Sequence, residues 1–98
     1  PKTVAESFDW EPAEALGPAA SALVAGVEAA IWAESISDFD DLSFLLLPRL
    51  AGVAHKAWSD PRHGSWAEHV ERIASHERLW AQDGLTYYAA CKDRRGLY

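Results

Sequence analysis

Trp32 and Glu34 are the two side chains of this sequence whose types and spacing best suit a chemical task. An indole ring can cover the apolar C–H face of a pyranose, and an ionised carboxylate accepts hydrogen bonds from two hydroxyls at once, the charge-assisted kind being the stronger. A Trp-x-Glu pair therefore supplies what a sugar-binding site needs. On spacing alone a packed tryptophan beside a solvated carboxylate is the commoner arrangement, so both readings stand at this level.

The pair closes the apolar run Val24-Ala25-Gly26-Val27-Glu28-Ala29-Ala30-Ile31-Trp32-Ala33-Glu34, which is short, rich in small and β-branched residues, and followed by the acidic Ser37-Asp38-Phe39-Asp40-Asp41. Such a run predicts a buried strand over 24–34. Strand alternation would put Glu28, Ala30, Trp32 and Glu34 on one face and Val27, Ala29 and Ile31 on the other. Glu28, in the middle, reads as a structural ion pair or hydrogen bond whose partner comes from residues outside this chain or from a nearby arginine such as Arg49, because a lone buried carboxylate is costly. A single strand is not a sheet. Its backbone groups need partners, and no second good strand is visible in the chain.

Around it the sequence predicts helices. Residues 1–23 read as a connector with short helical turns: at most one opened by Pro12 over residues 13–16 and ended by Gly17-Pro18, with residues 19–22 a connector or another turn. Ser37 or Asp38 can cap a helix with Asp40 and Asp41 in its first turn and a stripe of Leu42, Leu45 and Leu46. Pro48 kinks that helix or starts another, with Leu50, Val53, Ala54, Ala57 and Trp58 as its buried face. The clearest helix follows Ser65-Trp66-Ala67-Glu68, a capping box, and stops at Asp83-Gly84. Trp66, Val70, Ile73 and Trp80 with Ala67, Ala74 and Ala81 mark its apolar face, and Glu68, Glu71, Arg72, Glu77 and Arg78 its polar one. The aromatic tail from Leu85 is expected to be extended or looped, with Lys92 to Tyr98 loosely held.

Composition excludes several function classes. The 98 residues carry a net charge of −6, and basic residues cluster only at Lys92-Asp93-Arg94-Arg95, which disfavours binding to nucleic acid. No apolar segment is long enough to span a bilayer and no secretory signal pattern is seen. The single Cys91 allows neither an intramolecular disulfide nor a cysteine metal cluster. Of the four histidines, His69 and His76 are seven apart on a helix and His55 and His63 flank a loop, so solvated or capping roles are expected and no metal site. Asp38-Asp40-Asp41 lacks the glycine and closing glutamate of a calcium loop. No phosphate loop or nucleophile elbow appears, and no cofactor is expected.

Taken together, Ser7-Phe8-Asp9-Trp10-Glu11-Pro12, Gly26-Val27-Glu28-Ala29-Ala30-Ile31-Trp32-Ala33-Glu34, and Pro48-Arg49-Leu50-Ala51-Gly52-Val53-Ala54 with Trp58-Ser59 resemble a glycoside hydrolase family 20 β-N-acetylhexosaminidase. Arg72-Ile73-Ala74-Ser75-His76, Trp80 and Gly84-Leu85-Thr86-Tyr87-Tyr88 are similar to the closing helix and tail of its bacterial, actinomycete-like members. Phe8 departs from the tyrosine of many relatives, and His55 stands where Ala-Glu is common.

The resemblance implies an α/β fold: residues 1–98 would be the C-terminal fragment of one (β/α)8 barrel, with 24–34 as its eighth strand and 38–98 as terminal helices and tail, mostly helical as an isolated chain. A complete barrel takes roughly 250 residues and places functional groups at the C-terminal ends of its strands. The resemblance further implies that Trp32 lines the pocket for a terminal N-acetylhexosamine and that Glu34 hydrogen-bonds its O4 and O6. The family's retaining hydrolysis uses the substrate's own acetamido oxygen as nucleophile, with an Asp-Glu pair that this sequence lacks. No catalytic residue is therefore expected here. The implied partners are N-acetylhexosamine-containing glycans such as chitooligosaccharides and the remainder of the barrel. Against this stands an independent helical interaction or carbohydrate-binding module; a third reading has fragments self-associating to cover the strand and the apolar helix faces.

Overall fold

A computed structural model describes residues 2–60 and 64–89. Five helices follow one another in these residues: α1 (Val4–Phe8), α2 (Pro12–Ser21), α3 (Phe39–Leu46), α4 (Arg49–Trp58) and α5 (Trp66–Gln82). No strand is present among the described residues.

Capping explains where most of the helices begin. Thr3 accepts a hydrogen bond from Glu6 N–H at 3.0 Å, and Glu6 Oε2 accepts one from Thr3 N–H at 2.8 Å, so a capping box starts α1. The backbone N–H of Thr3 and then its hydroxyl hold the Glu6 carboxyl below the usual carboxylate range. The N-terminal stretch thus holds a helix that apolar periodicity does not reveal, because five residues are too few to show a period. In α2 the backbone leaves helical geometry at Gly17, at φ 78° and ψ 166°, so the expected turn does end at Gly17-Pro18 and a second turn follows. Asp38 caps α3 by accepting from Asp41 N–H at 2.9 Å, one of the two caps expected there. Pro48 ends one helix and starts another rather than kinking a single one.

Ser65 and Glu68 form the predicted capping box of α5. At the other end Leu85 N–H donates to Trp80 C=O and Gly84 N–H to Ala81 C=O, with Gly84 at φ 71°. That pair of bonds is a Schellman stop, which requires the left-handed conformation glycine adopts freely. Beyond it the tail is irregular to residue 89, as expected, and Tyr88 N–H donates to Leu47 C=O at 2.9 Å. The expectation for Lys92 to Tyr98 lies outside the described residues.

The packed centre lies where α1 crosses α4, with α5 joined to it by ring contacts. Val4, Phe8 and Ile73 are the buried apolar residues among those described, and Pro48 is fully buried as well. Gly52 permits the crossing: a Cβ there would stand 3.0 Å from the carbonyl carbon and oxygen of Ser7. This corrects the face predicted for α4. Leu50, Ala54, Ala57 and Trp58 are exposed and Val53 is half-buried, whereas Gly52 is the buried residue. The helix packs through the position that lets another backbone approach, and its larger apolar side chains are left to solvent. On α5, Ile73 is buried and Trp66, Val70 and Trp80 are half-buried as predicted, but Ala67, Ala74 and Ala81 are exposed and Glu77 is half-buried.

The largest correction concerns residues 24–34. Instead of a buried strand, residues 24–33 lack any regular secondary structure, and residues 25–35 are exposed throughout. The physical reason is the missing ladder: a strand is defined by its neighbours' hydrogen bonds, and the other described segments are helices, turns and irregular chain. Among the described residues no helix is long and apolar enough to cross a membrane.

Candidate functional site

Trp32 and Glu34 sit where this irregular segment runs into the cap of α3. Ile36 N–H donates to Ala33 C=O at 3.1 Å, which closes a turn through Glu34 and Ser35. Ser37 N–H then donates to Asp41 Oδ2 at 3.1 Å, anchoring the chain on the first turn of α3. The local sequence accounts for this, because the acidic run after Ile36 offers both the cap and its reciprocal acceptor.

Beside the segment, a cleft of about 560 Å³ opens between it and the α3–α4 corner; Ile31, Trp32, Leu46, Arg49, Leu50 and Val53 are among its lining residues. Trp32 borders the cleft with 79% of its surface exposed, leaving an indole available for stacking. Glu34 is exposed and lies outside the cleft lining. The structure therefore keeps the two candidate residues close along the chain without joining them in one enclosed pocket. An exposed indole and carboxylate can stack on and hydrogen-bond a sugar, but further walls are needed to exclude water from it.

Glu28 is exposed, which corrects its reading as a buried ion pair or hydrogen bond. Arg49 is engaged elsewhere: its Nε donates to Lys2 C=O at 2.6 Å, its Nη1 to Leu45 C=O at 3.1 Å, and its guanidinium lies 5.5 Å from the centre of the Tyr88 ring. It ties the N-terminal segment and the tail to the α3–α4 corner, so its role is positional.

Two of the histidines, His69 and His55, depart from expectation. His69 is buried, and its ring stacks on Phe8 at 4.4 Å with His55 at 5.2 Å and Trp66 at 5.8 Å. His76 is exposed, and its Nδ1 bonds Arg72 C=O at 2.8 Å; His63 lies outside the described residues. The signal for His69 was available: it falls three residues after Trp66 and four before Ile73, on the apolar stripe of α5. The two positions that depart from the resembled family, Phe8 and His55, meet in this cluster with centroids 5.2 Å apart. Among the described residues no group of three histidine, cysteine or acidic side chains is placed to hold a metal ion.

The chain belongs to glycosyl hydrolase family 20: the model of that family's catalytic domain matches residues 2–61, which include α1 to α4, Trp32 and Glu34. Among curated proteins it is 38% identical over 85 residues to a beta-N-acetylhexosaminidase of Cellulomonas fimi, covering 87% of this chain and 17% of that protein. It is 28% identical over 77 residues to a beta-hexosaminidase of Akkermansia muciniphila, covering 79% of this chain and 16% of that protein. The chain thus spans about a sixth of the length of either relative.

Proposed function

We propose that this chain is the C-terminal part of the catalytic barrel of a β-N-acetylhexosaminidase, which removes terminal non-reducing N-acetylhexosamine by substrate-assisted retaining hydrolysis. The observation that carries the reading is the exposed, unpaired segment ending in Trp32 and Glu34 inside the family match. In the longer protein that segment would be the eighth barrel strand, gaining its ladder from strands on either side. Trp32 and Glu34 would then stand at the strand's C-terminal end, where barrel enzymes place their sites.

In this reading Trp32 covers the apolar face of the terminal sugar and Glu34 accepts hydrogen bonds from its outer hydroxyls, at O4 and O6. Neither residue breaks the glycosidic bond. The acetamido oxygen of the substrate attacks the anomeric carbon, and an Asp-Glu pair supplied by other strands orients that oxygen and handles the proton. No Asp-Glu dipeptide occurs in these 98 residues, so the chain by itself is expected to be inactive. Its partners are the rest of the barrel and glycans that carry terminal N-acetylhexosamine, such as chitooligosaccharides. An independent binding module would have to satisfy the backbone of residues 24–33 internally, and the unpaired segment speaks against that.

The test uses a chromogenic β-N-acetylglucosaminide. A longer protein carrying this chain should hydrolyse it, whereas the 98-residue chain should not; turnover by the chain alone would overturn the reading. Within the longer protein, Glu34→Gln should raise KM and lower kcat/KM by about tenfold or more, the worth of a hydrogen bond to a charged group. Unchanged kinetics would remove Glu34 from the pocket.

A further inference from the structure

The most enclosed ionisable ring of the packed region has no part in the sugar reading. His69 is 3% exposed, and its stack on Phe8, at 4.4 Å and 26°, joins α5 to α1. Its contact with His55, 5.2 Å between centroids, joins α5 to α4. Its Nε2 is shut off from solvent and has no hydrogen-bond partner among the described residues. A neutral imidazole can leave one nitrogen without a bond at modest cost, but an imidazolium donates from both nitrogens and must have its charge compensated.

Among the described residues, the groups that act on the ring do not supply that compensation. From α4, His55 and Lys56 act on the ring, and from α5, Arg72 and His76 do, every one cationic or able to become so. The side chain that α1 presents to it is Phe8, over whose ring Lys56 Nζ already lies at 4.9 Å. Glu6, the carboxylate of α1, is turned to Thr3 N–H.

We propose that His69 is a proton-operated latch: neutral, it clamps α5 onto α1 and α4, and protonated, it lets α5 go. Burial, followed by the repulsion of His55, Arg72, His76 and Lys56, pushes the ring from its ordinary 6.5 down to about 4. A released ring takes its proton near 6.5 and a docked ring near 4. Docking is therefore strongest above pH 6.5 and is progressively lost as the pH falls towards 4.

Amide hydrogen exchange in the intact chain, corrected for the intrinsic pH dependence of exchange, tests the latch. Between about pH 7.5 and 4.5, protection of the α5 amides around His69 should fall by at least about tenfold. His69→Phe keeps a ring against Phe8 and cannot take the proton, so its α5 protection should not change over that range. His55→Glu brings a carboxylate to the ring and should reduce the loss. Wild-type protection that does not respond to pH, or an equal loss in His69→Phe, would overturn the proposal, as would an unprotected α5 at pH 7.5. Should His69→Phe fail to fold, His69→Gln is read in the same way, since it too is neutral throughout, and an equal loss there is equally decisive.

Discussion

Two regions of this molecule hold comparable apolar side chains and treat them in opposite ways. Where α1, α4 and α5 meet, Val4, Phe8 and Ile73 are buried and His69 is packed among rings. Along residues 24–33, Val24, Val27, Ile31 and Trp32 are all exposed. Hydrophobicity does not separate the two. The difference is backbone chemistry: a helix satisfies its own amides and needs only one face covered, whereas an extended segment needs partners along both edges before burial can stabilise it. Sequence-local caps suffice to start α1, α3 and α5, and nothing sequence-local can complete the strand.

Substitutions in the two regions should break or sharpen that contrast. The largest effect is expected for Ile73→Ala, which deletes a side chain only 2% exposed. Its loss should cost about 2–5 kcal/mol in chemical denaturation of the 98-residue chain, and a value below about 1 kcal/mol would mean that α5 is not held as described. Gly52→Ala comes next, because its Cβ would press on the Ser7 backbone at 3.0 Å, an atom that cannot swing aside. We expect about 1–3 kcal/mol from overpacking, seen as a lowered Tm. Ser65→Ala removes the acceptor for Glu68 N–H at 3.2 Å and should cost about 0.5–2 kcal/mol, read as lost helicity by circular dichroism.

The smallest effect sharpens the comparison most. Ile31→Ala removes the same apolar bulk as Ile73→Ala, yet from an exposed position. In the 98-residue chain it should shift stability by no more than about 0.5 kcal/mol. In a longer protein where residues 24–34 are paired it should cost about 2–5 kcal/mol, the core value. Equal effects in both settings would sink the assignment of this segment as a barrel strand.

Much of the local structure was legible in the chain itself. Asp38, Ser65 and Glu68, Gly84 and the Leu42, Leu45, Leu46 stripe mark α3 and α5 by their chemistry, since caps and stops act over three or four residues. Thr3 and Glu6 marked α1 equally well, but a helix of five residues is overlooked when apolar period is the guide. Trp32 and Glu34 stand out in the sequence as a Trp-x-Glu pair, and residues 2–61, which contain it, match the catalytic domain of glycosyl hydrolase family 20. That membership follows from residue identities in order, so it needs no fold to be completed.

Only the tertiary structure decided which faces are inside. On α4 the apolar stripe Leu50, Ala54, Ala57, Trp58 gave the wrong answer, because α1 approaches through Gly52, where a missing side chain and not a large one sets the contact. On α5 it brought His69 into the ring cluster and left Ala67, Ala74 and Ala81 in solvent. For residues 24–34 the sequence determined an apolar, strand-forming character, and the tertiary structure withheld the strand. Propensity and alternation belong to one segment, while a β-ladder belongs to at least two.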